Sequence, residues 1–359
     1  MINGADSLSL HTLWIGSYTQ PMGHVPDAKG RGIYTATLDS STGALVIRGD
    51  ATPVDNPSYM AWDALSELLF AVSESAEGPS QLSSYRLGEQ GLCLVDRLTI
   101  AGVACCHVSS QGGRIFCSSY MSGSLIVCSH NHGLLSFEAR FSYQGEGPDR
   151  ARQQSSHIHQ AIVSPENNWL YLCDLGADKI WCHRLKATLE ATESFTPLSP
   201  GAGPRHMVFH PTLSCAYVLC ELSAELVVYE YHASNGLLAK CQALNTLPED
   251  FIGQPAAAAI IIHPSGNALY VSNRQHNSVC VYEIEADGCV SFTARFSTGR
   301  EPRDITLDPL GRFLLVAHQD DDSIALHRVN PNSGFLDGDV GELVSCPTPV
   351  NLVFCQSSA

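Results

Sequence analysis

Three arginines and three histidines stand in short motifs of related form: HIH (157–159), GPRH (203–206), SNR (272–274) and EPR (301–303). They place His157, His159, Arg205, His206, Arg274 and Arg303 beside prolines or at the ends of apolar runs. Two carboxylates, Glu74 and Glu221, end equivalent runs. A neutral imidazole can take a proton from water, and a carboxylate can orient it. A guanidinium fork grips carboxylate or phosphate at two points. Together these residue types could activate water beside an anionic substrate. The chain as a whole is acidic, with 20 Lys and Arg against 36 Asp and Glu and a net charge of −16. Bulk attraction to nucleic acid or anionic lipid is thereby excluded, and any anionic ligand needs a local cluster of positive groups.

What positions these residues is a repeat. A short apolar strand, a Pro or Asp-Pro turn and a second strand ending in a polar residue recur at 207–221, 259–274 and 305–319. Looser copies lie at 59–74, 108–120 and 161–175, and 12–19 carries only the second strand. The large apolar landmarks of that second strand are Trp14, Phe70, Phe116, Tyr171, Tyr217, Tyr270 and Leu315. They recur about every fifty residues, with two further alternating strands in each interval. Helical periodicity is absent. The pattern predicts an all-β fold, a seven-bladed β-propeller with four antiparallel strands per blade, formed as a single domain over 1–359. The run PVNLVFC (349–355) is expected to close the ring as the innermost strand of the blade formed by 12–17, 32–38 and 44–49.

In such a blade the start of strand one and the end of strand two meet at one mouth of the channel. Counting along the repeat gives Tyr18, Glu74, Tyr120, Leu175, Glu221, Arg274 and Gln319 at the ends of the second strands. At the starts of the first strands it gives Ser58, Ala104, His159, Arg205, Ala258 and Arg303. The mechanism expected is water activation by His159, with an ordinary histidine pKa and with Glu221 orienting the ring. Arg205 and Arg274 would stabilise the oxyanion. Arg303 and His206 would hold a phosphate or carboxylate, with Glu74, Gln319, Tyr18 and His157 lining the site. The same Arg and Glu residues would also suit an inter-blade ion-pair network. His157 and His159 have HxH spacing, but without a third ligand they read as base and packing neighbour, so no metal or cofactor is expected. His210 and His263 read as turn residues, and His130, His132, His183 and His232 as solvated ones.

GAGPRHMVFHP (201–211) with ELSAELVVYE (221–230) resembles the bacterial 6-phosphogluconolactonase family of seven-bladed propellers, which includes fungal carboxymuconate lactonising enzymes. The likeness runs through GSYT (16–19), NPSY (56–59), GEGPDRARQQSSHIH (145–159), DLGADKI (174–180) and EPRDITLDPLGRFLL (301–315), and so covers essentially the whole chain. It implies a histidine, two arginines and a glutamate at the channel mouth, matching His159, Arg205, Arg274 and Glu221. One departure is VSSQGGRIF after His107, about two residues short of the repeat. The expected activity is opening of a small anionic sugar lactone to its acid. The rival readings are a cycloisomerase, and a non-catalytic module holding a peptide through rim aromatics such as Tyr18, Tyr59 and Tyr120.

Apolar residues at 44% and charged ones at 16% exclude a disordered chain. No apolar run nears twenty residues, so no membrane span is expected. MINGADSLSLHTLW lacks the charged and apolar regions of a leader, which predicts a cytoplasmic protein, a monomer or weak homodimer. The fourteen cysteines then read as thiols, not disulfides.

Overall fold

The second strand of each repeat is a continuous apolar run, not an alternating one, because it is covered on both faces. Leu68–Ser73, Cys215–Cys220, Ala268–Asn273 and Phe313–His318 are buried at every position. The outermost strands, such as Leu237–Asn245, mostly face solvent. A computed structural model describes residues 9–89 and 91–356. In it, seven antiparallel sheets of four strands follow one another around a channel. Among the described residues helix is confined to a 3-10 turn at Gln319–Asp321. The reading of residues 1–8 as free of a leader lies outside the described residues.

Blade one is assembled from both ends. Pro349–Phe354 pairs antiparallel with Leu10–Ser17, which continues to Ile33–Asp39 and Leu45–Thr52. The closing strand is also pinned sideways. Asp304 in blade seven accepts hydrogen bonds from Leu352 N at 2.8 Å and Asn351 Nδ2 at 2.9 Å, and Asn351 Oδ1 accepts from Met60 N of blade two at 2.9 Å. Burial lifts the Asp304 carboxyl to about 6 in spite of these donors.

Seven apolar cores, one between each pair of neighbouring blades, hold the ring. Polar staples follow the same repeat. Landmark tyrosines reach the next blade's hairpin, Tyr171 Oη donating to Gly236 O at 2.8 Å and Tyr217 Oη to Gly288 O at 2.9 Å. Turn histidines do likewise on the far face, His210 Nε2 donating to Gly266 O and His263 Nε2 to Gly311 O, both at 2.9 Å. The expectation of a solvated ring is corrected at His130, whose side chain is 7% exposed and packs on Phe70, and at His183. His183 is buried, with Nε2 2.5 Å from Tyr143 Oη and Nδ1 2.9 Å from Glu190 O, because adjacent outer strands overlap and trap it.

Candidate functional site

Every first strand carries a β-bulge at its second residue or beside it. The register shifts fall between Pro349 and Asn351, Pro57 and Tyr59, Cys105 and His107, Ile158 and Gln160, Pro204 and His206, Ala257 and Ile260, and Pro302 and Asp304. The bulged residues are Val350, Ser58, Cys106, His159, Arg205, Ala258 with Ala259, and Arg303. A bulge leaves a residue out of the ladder and re-aims its side chain, and at Cys106, His159, Arg205 and Arg303 that side chain lines the channel mouth. The second strands end at Ser17, Ser73, Ser119, Asp174, Cys220, Asn273 and His318. Each predicted strand-end residue, including Glu74, Glu221, Arg274 and Gln319, is the next residue along. Bulge and strand end thus meet at one mouth.

They enclose a cavity of about 760 Å³ lined by His159, Arg205, Glu221, Arg274, Arg303, Glu74 and Gln319, along with Ala104, Cys106 and Tyr120. The wall also includes Arg152, His24, Met22 and Glu301 from outside the predicted set. Four arginines thus face one opening in a chain of net charge −16.

Glu221 is the hub of this cluster. Its Oε2 forms ion pairs with Arg205 Nε at 3.1 Å and Arg274 Nη2 at 2.9 Å, and its Oε1 accepts a hydrogen bond from Arg152 Nη2 at 2.5 Å. Burial alone would raise its pKa. Arg274, Arg152 and Arg205 outweigh burial and hold the carboxylate far below the usual range. The arginines are graded by depth, their side chains 4% exposed at Arg205, 13% at Arg274 and 43% at Arg152. Arg205 also donates to the Ala258 carbonyl. Burial and the neighbouring Arg274 lower its pKa to about 10, which leaves it charged at neutral pH.

A second network lies across the channel. Tyr18 is fully buried; its hydroxyl donates to Glu74 Oε2 at 2.7 Å and accepts Arg303 Nη2 at 2.7 Å. His24 Nε2 lies 3.1 Å from the same oxygen. Below the cavity, aromatic rings form a buried layer. His206 sits 5.1 Å from His159 and 5.7 Å from His107, between ring centroids, and His107 packs 4.2 Å from Tyr59. Burial, followed by the charge of Arg205, holds the His107, His159 and His206 pKa values below the ordinary histidine value.

Several expectations are corrected. His206, Tyr18 and His157 do not line the cavity. His206 lies in the layer beneath it, Tyr18 points sideways into Glu74 and Arg303, and His157 stacks on Tyr120 with Nδ1 2.9 Å from the Tyr120 carbonyl. Glu221 makes no hydrogen bond to His159, since three arginines occupy its oxygens. His159 does not keep an ordinary histidine pKa.

Two cavity-lining positions escaped the repeat count. Arg152 belongs to the connection between blades three and four. There Asp149 accepts from the backbone N–H of Ala151 and of Arg152, at 2.9 and 3.2 Å, and fixes the turn. His24 belongs to the long connection between the strands Leu10–Ser17 and Ile33–Asp39. The bulge in blade three was also displaced. Gly112 and Gly113, with φ of 59° and 80°, make a two-residue turn, so counting back from it reaches Ala104 in place of Cys106. All fourteen cysteines are free thiols, ten of them buried. Among the described residues no group of three or more His, Cys, Asp or Glu is placed to hold a metal ion.

Comparison with known proteins agrees with this architecture. The model of the family "Lactonase, 7-bladed beta-propeller" matches residues 12–354. A 6-phosphogluconolactonase of Bacillus subtilis is 31% identical over 95% of this chain and 97% of its own length. One of Formosa agariphila is 28% identical over 92% of this chain and 96% of its own. The solved structure of PpgL, a periplasmic gluconolactonase of Pseudomonas aeruginosa, superposes with a TM-score of 0.88. It is 28% identical and covers 98% of this chain and 100% of that one.

Proposed function

The chain belongs to the lactonase family of seven-bladed β-propellers, and from that premise we propose that it hydrolyses an anionic sugar lactone, with 6-phosphogluconolactone the first candidate. The observation that carries this reading is the graded arginine cluster around Glu221. An anion entering from solvent meets Arg152 and Arg274 first, while the deeper Arg205 is left to polarise the lactone carbonyl. His159 shares that wall, and Arg303, held by Tyr18, faces the cavity from blade seven. Glu221 keeps the guanidiniums in register while the cavity is empty of substrate, and the incoming anion competes with it for them. Two histidines open on the cavity, His159 and His24, and either ring could receive a proton from water. Such lactones open slowly in water unaided, so one general base worth about 10²–10⁴-fold suffices alongside charge stabilisation.

The relatives named above support the sugar lactone. No helix among the described residues is long and apolar enough to cross a membrane. Fourteen free thiols favour a reducing compartment, the cytoplasm.

The test is acid release by the purified protein from 6-phosphogluconolactone, gluconolactone and, for the reverse chemistry, carboxymuconate. Hydrolysis of the phosphorylated lactone should exceed that of the neutral one, and Arg152→Ala should erase the preference. Sugar-lactone hydrolysis no faster than the uncatalysed reaction would overturn the reading.

A further inference from the structure

The two cavity histidines differ in what stands behind them. His159 Nδ1 is buried without a hydrogen-bond partner among the described residues, and Nε2 is therefore the ring nitrogen turned to the cavity. Taking a proton would bury a second N–H with no acceptor, beside Arg205, Arg303 and Arg274. The cheaper arrangement leaves Nδ1 bare and points Nε2–H at the substrate. His159 is thus built as a neutral donor.

His24 is built the other way. The Tyr18 hydroxyl has one proton, and the 2.7 Å contact to the Glu74 carboxylate takes it. Its oxygen then accepts from Arg303 at 2.7 Å, and from His24 Nε2 at 3.1 Å. Nε2 must therefore carry the His24 proton, which leaves Nδ1 as a free lone pair on a ring that lines the cavity. The ring is also held in place. Met22 and Val25 exchange both backbone hydrogen bonds, at 2.9 and 2.8 Å, to form a tight turn with His24 near its tip. Val25 is buried against Tyr18 and Val350, and Lys29 pairs with Asp322 at 2.7 Å.

Building on the lactone-hydrolase reading, we infer that His24 is the catalytic base, with Tyr18 and Glu74 as positioning residues that fix its tautomer and stabilise its charged form. Water oxygen bonds to the lactone carbonyl carbon as His24 Nδ1 takes one of its protons. The resulting oxyanion faces Arg205 and the His159 N–H. Its collapse breaks the bond from that carbon to the ring oxygen, which keeps the electron pair and receives the proton from Nδ1. The acid formed loses its remaining proton to solvent. His24 stands exposed at the mouth of the cavity; partial desolvation of its ring, followed by the charges of Arg303, Arg274 and Arg152 and opposed by Glu221, keeps the free imidazole neutral. A substrate anion on those guanidiniums offsets their charge and makes the imidazolium easier to form.

The test compares His24→Gln, His159→Gln and Tyr18→Phe, each checked for folding by its thermal melt. His24→Gln should lower kcat by about 10²–10⁴-fold with little change in KM, and His159→Gln should cost less. Tyr18→Phe should shift the acid limb of the kcat profile to lower pH, a change that a packing defect alone does not produce. Nitrogen-15 NMR of the substrate-free protein should find the His24 proton on Nε2, and Tyr18→Phe should weaken that preference. Wild-type kcat in His24→Gln, or a proton on Nδ1, overturns the inference. If the wild type opens no lactone, the substrate reading fails and the NMR tautomer still judges the relay.

Discussion

The channel wall and the loops above it furnish the same cavity by different rules. On the wall, position is set by the repeat, with one bulge and one strand end per blade. His159, Arg205, Glu221, Arg274 and Arg303 stand where the backbone presents any residue at all. In the loops each position is built singly, by Asp149 under Arg152 and by the Met22–Val25 turn under His24. The wall is where a fold can change chemistry by substitution without altering its course. The loops are where added chain can bring a new group to an old site.

The largest effect expected from this contrast is on catalysis. Arg274→Ala, on the wall, should lower kcat/KM by about 10²–10³-fold. Arg152→Ala, in the loop, should cost about tenfold or more through substrate binding, since its side chain is more exposed. Steady-state kinetics on a phosphorylated lactone decide it. If Arg152→Ala is silent, the loops merely cover the mouth.

The next effect belongs to the wall and its floor. His107, His159 and His206 all have folded pKa values below the unfolded value near 6.5. Below that pH the unfolded chain binds protons that the folded chain refuses. The stability is therefore intact above about pH 6.5 and is lost as pH falls, by about 1.4 kcal/mol per pH unit for each ring. Denaturant melts between pH 7 and pH 5 should show the slope, and His206→Gln should reduce it. An unchanged slope would mean that His206 is not held neutral in the floor.

The smallest effect tests the ring alone. Tyr217→Phe removes one bond to Gly288 and should cost about 1 kcal/mol in a denaturant melt, leaving kcat untouched. A kinetic defect in that variant would show that the wall transmits strain between blades.

The same contrast explains what was legible in the residues. Seven landmarks at regular spacing fixed blade number, closure and most of the mouth, because burial on both faces forces each second strand into a continuous apolar run. Counting gave position but not direction. Counting puts Tyr18 at the mouth, yet its ring turns sideways to Glu74, and it puts Glu221 near His159, yet that carboxylate is paired with three arginines. Cys106 was hidden by a shortened turn. Arg152 and His24 were hidden because nothing periodic leads to an inserted loop. The resemblance named the wall residues and was silent on both.

The strand Pro349–Phe354 carries a consequence for how the molecule is made. Trp14 pairs with Val353, more than three hundred residues further along the chain. At typical synthesis rates that interval takes roughly 15–70 s. Throughout it the edge of Leu10–Ser17 has no partner, and the six other blades can form only an open arc. The first blade begun is the last completed, so the nascent chain must wait with a sticky edge unprotected.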